Sequence, residues 1–177
     1  SRFALIYAGA QKNIGPAGVT LVVLRDDMLA RCKDGNFTML DYRTHAEKKS
    51  LFNTPPVFAV YMVRLVFEWM KKQGGLKAIE QVNRAKQERV YQMIDLHPDF
   101  YRGTVEPDSR SWMNITFRLP SEELEAKFLT EAKAAGMIGL KGHRSVGGIR
   151  VSLYNAVPLA AADRVAEFME EFRKKNG

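Results

Sequence analysis

One cysteine, Cys32, stands in 177 residues, so no internal disulfide is available, and this usage suits a reducing cytoplasm. Histidine is equally sparse. His45, His97 and His143 lie far apart, no Cys/His cluster has metal-ligand spacing, and no metal site is expected. No apolar run approaches the roughly 18 residues that cross a bilayer, so no membrane partner is expected. The opening Ser1-Arg2-Phe3-Ala4-Leu5-Ile6 reads as neither a signal nor a transit peptide. No internal repeat is present.

What remains is an ordinary globular composition, 46% hydrophobic and 27% charged, long enough to bury a sizeable core. The formal charge is +7 and the pI about 9.6. Such a balance fits a nucleic-acid-binding domain, a scattered solvated surface, or an anionic small substrate held by a few placed arginines. The basic residues are interleaved with acids along the chain, which favours the second and third readings over nucleic acid.

Residues 1 to 24 read as strand, glycine-rich turn, strand, apolar on both faces; such a hairpin is buried on both sides only within a larger sheet. A short helix or turn follows from Arg25 to Cys32, then a loop from Lys33 to Leu51. Asn53 and Thr54 are good N-cap residues ahead of Pro55-Pro56 and a very apolar, deeply buried helix with Val57, Tyr61, Leu65, Val66 and Trp69 on one stripe. Gly74-Gly75 ends it. A more polar helix from about Leu76 to Asp95 carries Ile79, Val82, Val90 and Met93 inward. Beyond it, residues 112–119 alternate as a strand with Met113, Ile115, Phe117 and Leu119 facing a core. Ser121 opens a helix that stops at Gly136, with Leu124, Phe128, Ala132 and Ala135 at helical spacing. A short strand at Met137 to Leu140, a second alternating strand from Ile149 to Tyr154, and a last helix after Pro158 with Val165, Phe168, Met169 and Phe172 inward complete an α+β unit. The expected domains are 1–75, an interdomain helix at 76–95, and 96–177.

Three segments carry chemistry. In Gly9-Ala10-Gln11-Lys12-Asn13-Ile14-Gly15-Pro16, one lysine sits on a tight connection between two apolar runs. A lysine so aimed and partly desolvated is a candidate amine nucleophile for Schiff-base chemistry with a carbonyl substrate or pyridoxal phosphate; otherwise it is a plain surface lysine. Phe52-Asn53-Thr54-Pro55-Pro56 offers a hydroxyl, an amide and helix-start N–H groups as a phosphate or carboxylate cradle, or simply an N-cap. In Lys141-Gly142-His143-Arg144-Ser145-Val146-Gly147-Gly148-Ile149-Arg150, Arg150 points away from the core face of its strand, where its planar fork suits a carboxylate. His143 and Arg144 suit a mobile phosphate clamp or a solvated basic loop.

The strings GAQKNIGPAG, FNTPP and KGHRSVGGIR with SLYNA, in that order, resemble the motifs of the phosphoserine aminotransferase family, and the resemblance extends over the whole chain. It implies a fold-type I, class V pyridoxal phosphate enzyme working as a homodimer in the cytoplasm, with its active site at the subunit interface. The implied reaction moves the amino group of L-glutamate to 3-phosphohydroxypyruvate, giving O-phospho-L-serine and 2-oxoglutarate in serine biosynthesis, with a related step in bacterial pyridoxine biosynthesis. By likeness, Lys12 is the Schiff-base lysine, Gln11, Asn53 and Thr54 contact the cofactor phosphate, Arg150 holds the substrate α-carboxylate, and His143 and Arg144 bind the substrate phosphate.

Family members are about twice this length. The residues expected to bind the pyridine nitrogen, stack on the ring and cradle most of the phosphate have no counterpart here. The chain is therefore expected to be a C-terminal half: α/β to α+β, the last part of a large cofactor domain truncated on its N-terminal side, then the small α+β domain. Little activity is expected of it alone. The alternatives are a non-catalytic basic nucleic-acid-binding domain and a self-associating inactive fragment.

Overall fold

The computed structural model describes residues 2–177, which fold as two units, the first ending at Lys72 and the second running from Gln73 to Gly177. The strand–turn–strand expectation holds for the described residues; Ser1, counted in it, lies outside them. Strands β1 (Leu5–Gly9) and β2 (Thr20–Leu24) pair antiparallel, Leu5 opposite Leu24 and Gly9 opposite Thr20. They form a two-stranded sheet on their own. With no further strand to cover them, Ile6, Tyr7, Val22 and Val23 stay exposed, Tyr7 to 73%.

Helix α1 (Asp26–Leu29) follows β2. The stretch from Lys33 to Leu51 is not the structureless loop expected. It holds a 3-10 turn at Thr38–Leu40 and a six-residue helix, α2 (Tyr42–Glu47). The reason is polar and lay outside hydrophobic periodicity. Asp41 caps α2 by accepting from the Arg43 amide, and Arg43 donates back to Asp41, to Asp34 at 3.0 Å and to the Lys33 carbonyl at 3.1 Å. These bonds from Arg43 hold the Asp41 carboxyl below the usual range. The helix ends through Lys49 and Ser50, both left-handed (φ 50° and 63°), an uncommon conformation for side chains of this kind.

Helix α3 (Val57–Lys72) begins only after both prolines, and the Pro56 carbonyl accepts its first bond, from Val60 N–H. The residue before a proline is pushed out of the α region, so Thr54 and Pro55 cannot enter the helix. Neither Asn53 nor Thr54 caps it, against expectation. Deep burial of α3 is also not observed. Only Ala59 and Val63 are buried, while Val57 and Phe58 are 65% and 72% exposed. A helix apolar all round needs partners on every side, and the described residues supply one.

In the second unit, Gly74 (φ +96°) opens helix α4 (Gly75–Leu96). Strands β3 (Arg102–Gly103), β4 (Asn114–Arg118) and β5 (Ile149–Ser152) form an antiparallel sheet in that order, with Thr116 opposite Arg150 and Phe117 opposite Ile149. Helices α5 (Glu122–Ala134) and α6 (Leu159–Asn176) complete the unit, and Ser121 caps α5 by accepting from Leu124 N–H. The core joins Ile115, Phe117 and Leu119 with Ile149, Val151 and Leu153, and seats Phe128, Ala132, Val165, Phe168, Met169 and Phe172 against them, as the two periodicities required. Phe128 lies at its centre, ring centroids 5.0 Å from Phe168 and 5.1 Å from Phe172. The strand expected at Met137 to Leu140 is absent. Gly136 and Gly139 take positive φ there, and only Lys141 forms an isolated bridge to Ile149. β3 was not foreseen.

The inner face of α4 also differs. Val82 is exposed, and the buried residues are Asn83, Lys86, Val90, Tyr91 and Ile94. Lys86 is fully buried and donates from Nζ to the carbonyls of Leu153 (3.1 Å), Tyr154 (2.9 Å) and Val157 (3.0 Å). Asn83 donates alongside it to Asn155 Oδ1 at 2.8 Å. Together they satisfy the chain where it leaves β5 for α6, a segment that would otherwise bury bare carbonyls. Burial pushes the Lys86 ammonium below its ordinary range.

Lys86→Met keeps the aliphatic stem but takes their donor from the Leu153 and Val157 carbonyls, while the Tyr154 carbonyl still accepts from Val157 N–H at 2.9 Å. We expect a loss of about 3 kcal/mol in urea unfolding, since an orphaned buried polar group costs roughly 1–3 kcal/mol and water reaches some of them. A second expectation concerns acid. Hydrogen bonding from Arg173, helped by Lys174, lowers the Glu170 carboxyl from 4.5 to about 2. A depressed carboxyl contributes stability above its unfolded value and loses it as pH falls through the folded one. The urea midpoint should therefore fall more steeply between pH 4.5 and 2 in the wild type than in Glu170→Gln, and the two curves should converge near pH 2.

Candidate functional site

Lys12 sits on a mount made of glycine and alanine. The β1–β2 ladder continues one step, Ala10 N–H donating to the Val19 carbonyl at 2.9 Å. The chain then coils, so that the Ala10 carbonyl accepts from Ile14 and Gly15 at 3.2 and 2.9 Å. Ala10 is fully buried. A Cβ on Gly15 would lie 2.8 Å from Val63 Cγ2, and one on Gly18 (φ +108°) would touch Pro56 and Ala59. The turn is therefore seated on α3 by the two buried residues of that helix; at Gly15 a side chain would crowd Val63, and at Gly18 the positive φ favours glycine. Gln11 folds its amide back over Gly9, where a Cβ would meet Oε1 at 2.5 Å. Lys12 itself is exposed, as is Gln11. The backbone aims the amine; the expected partial desolvation is not provided by these residues.

The segment leading into α3 lies on the same unit. Asn53 Nδ2 donates to the Thr54 carbonyl at 3.1 Å, and both residues are exposed. Pro56, in contact range of Gly18, links this segment to the far end of the lysine turn. Released from capping by the two prolines, the Asn53 and Thr54 side chains stay exposed rather than finish a helix.

The second unit holds the other candidates. Arg150 lies on β5 between buried Ile149 and Val151, its own side chain on the opposite face. Its backbone N–H donates to the Leu140 carbonyl at 2.8 Å. Its Nε is buried with no hydrogen-bond partner among the described residues, and no carboxylate among them pairs with its charge. The row beside it is polar: Thr116 opposite, then Asn114 accepting from Ser152 Oγ at 2.9 Å. An unpaired planar fork on a polar sheet face has the chemistry that suits a carboxylate.

His143 and Arg144 are exposed on the loop before β5. The His143 carbonyl accepts from Val146 and Gly147 at 2.9 and 2.8 Å, and Nδ1 accepts from the Ser145 N–H at 3.3 Å while lying 2.7 Å from Ser145 Oγ. Those contacts leave Nε2 on the outward side of the ring. Sequence reasoning missed what supports this loop. Arg118 donates from Nε to Glu125 at 2.5 Å and from Nη1 to the Val146 carbonyl at 3.0 Å. The only signal was an arginine ending an alternating strand, with an acid seven residues later on the next helix.

Elsewhere several arginines are paired. Arg25, Arg43, Arg64, Arg89, Arg110, Arg164 and Arg173 each face a carboxylate. No helix among the described residues is long and apolar enough to cross a membrane, and no His/Cys/Asp/Glu group among them is placed to hold a metal.

The family model described as Aminotransferase class-V matches residues 3–165. The chain is 58% identical over 175 residues to phosphoserine aminotransferase of Geobacillus kaustophilus, covering 99% of itself and 49% of that relative. Among solved structures it resembles phosphoserine aminotransferase from Bacillus circulans subsp. alkalophilus, at 51% identity and a TM-score of 0.95, covering 99% of this chain and 49% of that one. A PLP-bound phosphoserine aminotransferase from Trichomonas vaginalis matches at 38% identity and a TM-score of 0.88, over 94% and 48% of the two chains. The chain thus spans about half the length of the curated relatives it matches. With the lysine turn, the FNTPP segment and the arginine strand all falling inside residues 3–165, the chain belongs to the class-V aminotransferase family.

Proposed function

We propose that this chain carries the lysine-bearing and small-domain part of a phosphoserine aminotransferase, transferring the amino group of L-glutamate to 3-phosphohydroxypyruvate to give O-phospho-L-serine and 2-oxoglutarate. The observation that carries the reading is Lys12: one lysine on a turn that the fold immobilises, in a chain of a transaminase family. By the same likeness the reaction belongs to serine biosynthesis, with a related step in pyridoxine biosynthesis, in the cytoplasm of the cell. Assembly as a homodimer is supported by the apolar side chains that α3 and the hairpin leave exposed, Phe58, Tyr61, Tyr7 and Val23 among them.

The residues fit pyridoxal 5'-phosphate. A primary amine on a glycine-rich turn suits its aldehyde, the neutral donors of Gln11, Asn53 and Thr54 suit its phosphate, and the orphaned Arg150 fork suits the carboxylate of an amino acid substrate. When bound, the group supplies an electron sink that stabilises negative charge at the substrate α-carbon. Lys12 anchors the cofactor and carries the proton to and from that carbon. Arg150 fixes the α-carboxylate in two places, which orients the α-hydrogen. His143 and Arg144 bind the phosphate of the keto acid, and the same cations accept the side-chain carboxylate of glutamate.

Adding pyridoxal phosphate, reducing with borohydride and mapping peptides should place the label on Lys12 rather than across the surface lysines. Lys12→Ala should lose that label, and a wild-type chain labelled at random across its lysines would sink the proposal. Arg150→Gln should weaken glutamate binding about 50-fold in calorimetric titration, the worth of a charge-assisted bidentate pair, and Arg150→Lys should not restore it because a point charge lacks the fork.

A further inference from the structure

We propose that Arg118 is a positioning residue for anion binding. Locked by Glu125, its guanidinium holds the Val146 carbonyl and so sets the 141–148 loop that presents His143 and Arg144. The inference rests on the reading of that loop as the contact for the substrate phosphate.

The geometry makes Arg118 the strut. Its Nε donates to Glu125 Oε1 at 2.5 Å and its Nη1 to the Val146 carbonyl at 3.0 Å. Glu125 is itself buried, 7% exposed, and also accepts from Leu119 N–H at 3.3 Å, which ties helix α5 to the end of β4. The base of the loop is laid directly on the arginine. A Cβ on Gly148 would sit 2.6 Å from Arg118 Cδ and 2.9 Å from the Phe117 carbonyl, and Gly147 lies over Nη1. Both glycines take positive φ, 76° and 71°. Across the loop neck, Gly142 N–H donates to the Gly148 carbonyl at 2.8 Å, and a Cβ on Gly142 would fall 1.9 Å from the Gly147 oxygen.

Beneath the loop tip there is no packed core to fix its place. An open cleft of about 510 Å³ lies there, lined by Arg118, Glu122, Glu125, Leu129, Lys141 and Arg144 among others. Val146 is 66% exposed and contributes its carbonyl rather than its side chain. The position of His143 and Arg144 therefore depends on the neck hydrogen bond and on Arg118. The charge of Arg118 is already met by Glu125. It acts through the loop, not by binding the anion itself, and a loop tip displaced by an ångström loses most of a phosphate contact.

The test uses the isotopically labelled 177-residue chain, titrated with inorganic phosphate and followed by the amide resonances of residues 141–152. Arg118→Met should weaken phosphate binding about tenfold. It should also speed amide exchange at Gly142, Val146 and Gly147 about tenfold while leaving Val151 in the core strand unchanged. Arg118→Lys keeps the charge but cannot reach carboxylate and carbonyl together, so it should recover little of either effect. Glu125→Gln retains an acceptor oxygen and should fall between wild type and Arg118→Met, which keeps the question answerable if the methionine variant folds poorly. Wild-type affinity and exchange in Arg118→Met would overturn the proposal, and so would full recovery of phosphate binding in Arg118→Lys, which would make charge the cause. If Arg144→Gln and His143→Gln leave phosphate binding unchanged, the anion-binding reading of the loop fails. Faster loop exchange in Arg118→Met would then still assign the strut, and unchanged exchange would remove it.

Discussion

The ammonium of Lys86 is the point on which the second unit turns. A fully buried lysine is costly unless every donor is used, and here its donors take three carbonyls from the single stretch that joins β5 to α6. That stretch cannot form sheet or helix, because Pro158 follows it and the strand has ended. Without Lys86 the Leu153 and Val157 carbonyls would have to reach water. Helix α4 thus does more than bury Val90, Tyr91 and Ile94: it supplies the hydrogen bonds that let β5 end where it does.

The two chemical loops are built by one device. The lysine turn rests on Ala59 and Val63 through Gly15 and Gly18; the His143 loop rests on Arg118 through Gly147 and Gly148. In each, glycines bring backbone down onto a rigid helix or strand end, and the reactive side chains are left outside on a fixed base. The physical gain is pre-organisation, since the cost of ordering the loop is met in folding rather than in binding. The backings differ in kind. Val63 is apolar and works by contact, while Arg118 works by directed hydrogen bonds that depend on Glu125.

The first unit shows what apolar composition does without partners. Hairpin β1–β2 and helix α3 carry side chains suited to burial on both sides, and most remain exposed. The alternation of Phe117 or the helical spacing of Phe168 and Phe172 met a matching surface within the chain, but the stripe of Val57, Tyr61 and Trp69 did not. The chain spans about half the length of the curated relatives it matches.

Sequence alone determined the elements whose periodicity has one answer. Strand β4, helices α5 and α6 and most of their inward residues were legible because period two and period 3.6 place side chains by geometry, although Ala135 lies exposed past the end of α5 and the buried Glu125 was not read. The lysine turn and the Arg150 strand were legible for a related reason, since glycine spacing and alternation state where a backbone can bend and which way a side chain faces. The tertiary structure decided what depends on bonds between distant residues. Lys86 reads as a surface cation until its carbonyls, nearly seventy residues away, are in place. The helix within 33–51 depends on Asp41 and Arg43, and Asn53 and Thr54 are freed from capping by two prolines and the first bond from Val60. Polar hydrogen bonds carry no period along a chain, so their partners appear only once the fold has brought them together.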